Sequence, residues 1–284
     1  MAIPAQLRDS LQQFEPLPPA VSRLLRELGR EDDEPLRGEI SALIEPDKEL
    51  SARLLRIFNS TYYSGRYPIE RLSDATPRFG LSALIDVLLT DHLLCTGWSA
   101  ELFGLNSLDF WLHGSVASLA VIETIRENPR KDISRAATLA ALLHDVGKVA
   151  MSRVLLTSAK ELSQVAQTEN ITFAEAERRV FGCDHSDVSA ALAQLWGFPD
   201  FLVEAIERHH KVPLPDPTAS VDAVALANLV AKTIGVGLGS EGLNFEMDPG
   251  CYTRLGLDFN AFCRVCARTA IAIKDMKAAY GLSD

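Results

Sequence analysis

The sequence predicts an all-α protein, a two-lobed helical bundle, from two observations. Apolar residues recur at helical spacing in almost every segment, and no run of alternating β-branched residues is bounded by hairpin turns. The balance of 47% apolar and 23% charged residues is that of a globule able to offset the entropy of ordering.

The elements follow in order. Residues 19–29 place Val21, Leu24, Leu25 and Leu28 on one stripe, with Gly29 as a stop. Residues 47–60 repeat the pattern through Leu50, Leu54, Ile57 and Phe58, with Asp47 as the cap. Asn59 and Ser60 then close that helix in a turn, and Tyr62 and Tyr63 cover a lobe interface. An almost wholly apolar helix over 81–97 is expected to be buried on most sides. The segment 98–108 marks a boundary between an N-terminal lobe, 1–103, and a C-terminal lobe, 104–284. A loop with three prolines at 211–219 and a second loop at 239–250 precede a last helix, about 258–282. Leu54, Ile85, Leu88, Leu139, Leu142 and Leu143 are expected in the core. Trp196 reads as a core anchor.

Lysine and arginine total 28 against 38 acidic residues, a formal charge of −10. That balance argues against nucleic acid and anionic membrane surfaces as partners. No transmembrane run or secretory start is read from the chain. Five scattered cysteines point to a reduced, cytoplasmic setting. Cys263 and Cys266 have the spacing of half a zinc site without a second pair, so packing is expected of them. The glycine-rich stretch 235–240 lacks the strand and lysine of a phosphate loop and reads as a frayed helix end.

Chemistry concentrates in the second lobe. His144 and Asp145 form a charged pair in the apolar stretch AALLHDVGKVA, and burying them unpartnered is costly. Lys148 lies four residues after His144, and Asp109 and His113 share the same spacing, which aims two side chains at one point. His185 and the pair His209–His210 complete the set. Imidazoles with carboxylates suit a divalent metal such as Fe, Mn, Mg or Zn, and two ions close together need roughly six to eight such donors.

The residues ALLHDVGK, with DFWLH upstream and DHSDV and RHH downstream, resemble the HD superfamily of metal-dependent phosphohydrolases. PLPPAVSRLL, IEPDKELSARLLRIFNSTYYS, RFGLSALIDVLLT and FGCDHSDVSAALAQLWGFP bring the resemblance closer to the HDOD domain of bacterial signalling proteins, as one unit over about 15–280. By this resemblance the metal ligands fall on His113, His144, Asp145, His185, His209 and His210. Asp109 matches an acidic ligand of the related HD-GYP phosphodiesterases, and Lys148 matches their lysine. Two departures stand out. Asn228 occupies the region of the closing aspartate, with Asp222 the only nearby acid, and no glycine–tyrosine–proline motif follows His210. The resemblance therefore implies a signalling output module with a degenerate metal site and without strong catalysis. Its partner would be a receiver or sensor domain of a two-component response regulator. The alternative it implies is a phosphohydrolase acting on a nucleotide or cyclic dinucleotide, with Lys148 in a catalytic role.

Overall fold

The computed structural model describes residues 3–28, 43–63, 67–128, 132–244 and 246–282. All regular structure among them is helical, apart from one isolated antiparallel bridge between Ala100 and Leu105. No helix among the described residues is long and apolar enough to cross a membrane.

The chain opens with α1 (Ala5–Gln12), α2 (Pro19–Leu25) and α3 (Lys48–Phe58). Proline suits the first turn of α2 because that N–H has no helical partner. Helix α2 ends at Leu25, four residues short of Gly29, which lies outside the described residues. Asp47 caps α3 by accepting from the Leu50 N–H at 2.9 Å, as expected. Asn59 ends α3 and pins the chain beyond it: its amide donates to the Ile69 carbonyl at 2.9 Å and accepts from the Ile69 N–H at 2.8 Å.

Helices α4 (Ala75–Phe79) and α5 (Leu81–Thr96) lead to a 3-10 turn, Glu101–Phe103, whose Leu102 and Phe103 are buried in the core. The long α6 (Ser107–Glu127) is capped by Asn106, and α7 (Ala137–Leu143) and α8 (Val146–Leu155) follow. Helices α9 (Ala159–Glu169), α10 (Phe173–Phe181), α11 (His185–Leu195), α12 (Asp200–Arg208) and α13 (Ala219–Thr233) form most of the second half. Thr172 and Asp184 open α10 and α11 with capping boxes, each side chain and the carboxylate three residues on, Glu175 or Asp187, satisfying one another's N–H. The loop read over 239–250 gives way at Gly250 to a short α14 (Gly250–Leu255), and the last helix, α15, spans Phe259–Ala279. Gly256, in the left-handed conformation, ends α14 and separates the two.

Helix α6 is central: α7, α13 and α15 all pack on it, while α12 bridges α7, α11 and α13. Helices α8 and α11 approach so closely that a Cβ on Gly147 would lie 2.2 Å from the His185 carbonyl. The Gly147 N–H instead donates to Ser189 Oγ at 2.8 Å, locking the two helices that carry Lys148 and His185. The six expected core positions are all buried, Leu54, Ile85 and Leu139 completely so. Trp196 is only half-buried, stacked on Trp98 at 6.1 Å. Cys263 is exposed and Cys266 partly buried, so packing describes only the second.

Candidate metal centre

The site is assembled where five helices end or cross. His113 comes from the first half of α6, His185 opens α11, and His209 and His210 follow the last residue of α12. His144 closes α7 and Asp145 precedes α8, so the HD pair sits at a helix break rather than within one continuous helix. The reason is geometric. Neighbours in a straight helix point about 100° apart, whereas the break lets His144 Nε2 approach Asp145 Oδ1 to 3.5 Å.

Asp145 is the hub. Its Oδ1 lies 3.2 Å from His185 Nε2 and 3.8 Å from His209 Nε2, and its Oδ2 lies 3.4 Å from His113 Nε2. Lys148 Nζ reaches Oδ2 at 2.9 Å. Donor atoms fall into two groups that share this carboxylate: Asp145, His185, His209 and His210, and His113, His144 and Asp145. Within each group the atoms lie within 4.8 Å of one another. His113, His144, Asp145, His185 and His209 are buried, and His210 is partly exposed.

The protonation pattern follows from what the other ring nitrogens touch. His113 Nδ1 faces the Val236 carbonyl at 3.1 Å, His144 Nδ1 the Ala141 carbonyl at 2.7 Å, and His209 Nδ1 the Ile206 carbonyl at 2.6 Å. A carbonyl only accepts, so each Nδ1 carries the proton and each Nε2 turns a lone pair inward. Burial pushes His113 down to about 4 and lowers His144, His209 and His210 as well, which keeps these imidazoles neutral. His185 differs. Burial opposes its charge, but Glu177, 2.8 Å from Nδ1, outweighs that and raises it to about 10. Glu177 also accepts from the His185 backbone N–H at 2.5 Å. Burial likewise opposes ionisation of Asp145, yet the cationic Lys148 and His185 hold it well below the usual carboxylate range.

Inward lone pairs on His113 and His144, 3.3 Å apart, cannot both be satisfied by each other. The Nε2 atoms of His185, His209 and His210 and Asn228 Oδ1 are buried without a hydrogen-bond partner among the described residues. Cations in these two groups, which share Asp145, take the lone pairs of His113 and His144 in one and of His209 and His210 in the other, and His185 joins the second on loss of its Nε2 proton, so the donors fit a metal.

Other sequence-predicted positions behave differently. Asp109 belongs to neither donor group; in the first turn of α6, its backbone N–H is taken by the Asn106 cap at 2.9 Å. Asp222 is buried and held by Arg254 through contacts of 2.8 and 2.7 Å, which removes it as a substitute for Asn228. The stretch 235–240 is no frayed end. Gly237, at φ +62°, packs on the His113 ring, where a Cβ would fall 2.5 Å from His113 Cβ, and Val236 holds that ring's proton.

The HDOD domain family matches residues 15–212. The chain belongs to the HDOD domain family. A solved HDOD domain protein from Geobacter sulfurreducens is 27% identical, with a TM-score of 0.68 and 96% coverage of both chains. A protein from Shewanella amazonensis, provisionally named a phosphohydrolase, is 20% identical, with a TM-score of 0.70 and coverage of 97% and 98%. A chain from Marinobacter aquaeolei, provisionally named a signal transduction protein, is 20% identical with a TM-score of 0.74. There the match covers 99% of this chain and 62% of that one. At 20% identity these last two likenesses concern the fold. An uncharacterized protein of Treponema pallidum is 22% identical over 230 residues, and the match spans only 44% of its length.

Two site residues of this HDOD chain escaped the sequence reading. Glu177 fixes the His185 ring, and Glu241 forms buried ion pairs with both Lys148 and Lys232. Neither carried a signal, because a lone glutamate in an amphipathic helix or a loop looks like surface. Asn228, Lys232 and Glu241 all lie beyond the matched segment. A cavity of about 170 Å³ opens along His185, His210, Lys232 and Glu241.

Proposed function

We propose that this chain is a signalling output module of HDOD type that holds divalent metal and has little or no phosphohydrolase activity. It acts through a separate receiver or sensor domain, in the cytoplasm, with its lobes divided near 98–108. His113, His144, Asp145, His185, His209 and His210 hold the metal, with Asn228 as a neutral oxygen donor. When bound, such an ion supplies polarisation of a phosphoryl group and activation of water.

One observation carries the low activity: the Glu241 carboxylate lies in the cavity and pairs with both Lys148 and Lys232. Lys148 is the side chain that would receive a phosphate. Burial opposes its charge, but Asp145 and Glu241 together hold it firmly protonated and already neutralised. An anionic substrate must therefore displace a buried carboxylate before it meets a cation, which costs several kcal/mol.

The phosphohydrolase reading rests on the same cavity, which leads to His185 and His210. A direct assay separates the two. Manganese-loaded protein is incubated with bis(p-nitrophenyl) phosphate and with cyclic dinucleotides. Turnover at background supports the signalling module, whereas turnover near 1 s⁻¹, the lower end of ordinary enzymes, overturns it.

A further inference from the structure

A second and larger cavity, about 560 Å³, lies between the Tyr62–Tyr63 turn, α5, α6 and α15. Its volume is in the range of small-molecule sites, about 300–1,000 Å³. Nothing in the metal centre uses it, although α6 carries His113 and also lines this cavity from Leu119 onward.

The lining is built in three parts. One wall is aromatic: Tyr63 stands edge-on to Phe79 at 5.4 Å, and Phe79 is backed by Phe58 stacked at 5.2 Å. Ile122 and Ile271 continue the apolar surface. Deeper in sits Asp86, 8% exposed. Its Oδ2 accepts from Ser118 Oγ at 3.0 Å, and its Oδ1 is buried with no hydrogen-bond partner among the described residues. Leaving a buried acceptor unpaired is costly, and a donor on a ligand removes that cost.

The third part is cationic. Four arginines line the cavity against three carboxylates, in a chain whose formal charge is −10. Arg126 is paired with Glu123 at 2.6 Å, and Arg78 lies over the Phe79 ring at 5.2 Å. Arg135 is exposed and has no ion pair among the described residues. Guanidinium groups of this kind suit bidentate recognition of phosphate or carboxylate.

We propose that this cavity binds a small effector of mononucleotide type. Its flat ring packs on the Tyr63–Phe79 wall and donates an N–H to Asp86, and its anionic group meets Arg135 and Arg78 at the mouth. This site is separate from the metal centre and does not depend on the function proposed above.

The test is calorimetric titration of the full, EDTA-treated chain, so that metal chemistry contributes nothing. GMP and AMP are the probes, with the corresponding nucleosides and ribose 5-phosphate as comparison arms. At least one mononucleotide is expected to bind with a dissociation constant below 1 mM, about −4 kcal/mol, and more tightly than its nucleoside and than ribose 5-phosphate. At pH 8, Asp86→Asn and Arg135→Glu are each expected to weaken it by about tenfold or more, the order of one charge-assisted hydrogen bond. Arg135→Glu is expected to leave nucleoside binding unchanged. Arg135 is exposed, so this variant decides the matter if Asp86→Asn fails to fold. The proposal is overturned if neither mononucleotide binds, if Arg135→Glu binds like wild type, or if ribose 5-phosphate binds as tightly as the mononucleotides.

Discussion

Glu241 and Lys148 form an ion pair in which both side chains are buried, and Lys148 also reaches Asp145 at 2.9 Å. The same glutamate also takes Lys232, so one carboxylate from a loop neutralises two lysines of the core. Buried pairs of this kind add little net stability as pairs, but removing one partner strands the other.

Glu241→Gln is accordingly expected to destabilise the fold by about 3–5 kcal/mol, the range for a broken buried pair. Urea unfolding at neutral pH measures it, and a loss below about 1 kcal/mol, the scale of an exposed pair, contradicts the burial argued here.

Asp86 makes stability depend on pH. Burial raises its carboxyl from 3.8 to about 7, only partly offset by the Ser118 hydrogen bond. The folded state therefore holds a proton that the unfolded chain has lost, and stability falls as pH rises from about 4 to about 7. Asp86→Asn keeps an acceptor for Ser118 and removes the titration. Its advantage over wild type should grow across that window, to at most about 4 kcal/mol. Unfolding curves at pH 5 and pH 8 that differ equally in the two proteins would exclude this.

Leu142 sits on α7, which packs against α6 and α12, and is 2% exposed. Leu142→Ala should cost about 2–5 kcal/mol, the usual range for a core leucine. A thermal or denaturant shift equivalent to less than about 1 kcal/mol would mean that α7 is not central to the core.

Glu177 orients His185 through both its ring and its backbone N–H. Glu177→Gln is expected to weaken metal binding by about 10–100-fold, as loss of a group that orients a ligand does. Competition with a chromophoric chelator reads the change, and an unaltered affinity removes Glu177 from the site.

Much of this was legible in the residues themselves. His113, His144, Asp145, His185, His209 and His210 stood out because ionisable groups in apolar helical stretches need partners, and the folded chain supplies them from five helices. Asp109 shared the spacing of His113 one turn earlier, but spacing fixes a helix face only approximately, and the first turn of α6 carries Asp109 outside the donor groups. Glu177 and Glu241 were illegible for the opposite reason. FAEAERRVF offers glutamates at both 175 and 177, and only tertiary packing decides that the first caps α10 while the second is buried on His185. The helix break at His144–Asp145 had no proline or glycine at the break itself to announce it.

The central claim is that Asp145 and its histidines hold a metal. Elemental analysis of purified wild type and Asp145→Ala, with melting curves taken with and without EDTA, tests it most directly. At least one equivalent of divalent metal is expected in the wild type and none in the variant. Chelation should lower the wild-type melting temperature only, because a ligand of the native state stabilises it by mass action. A metal-free wild type whose melting temperature is indifferent to EDTA and to added Mn²⁺, Fe²⁺ or Zn²⁺ would contradict the account.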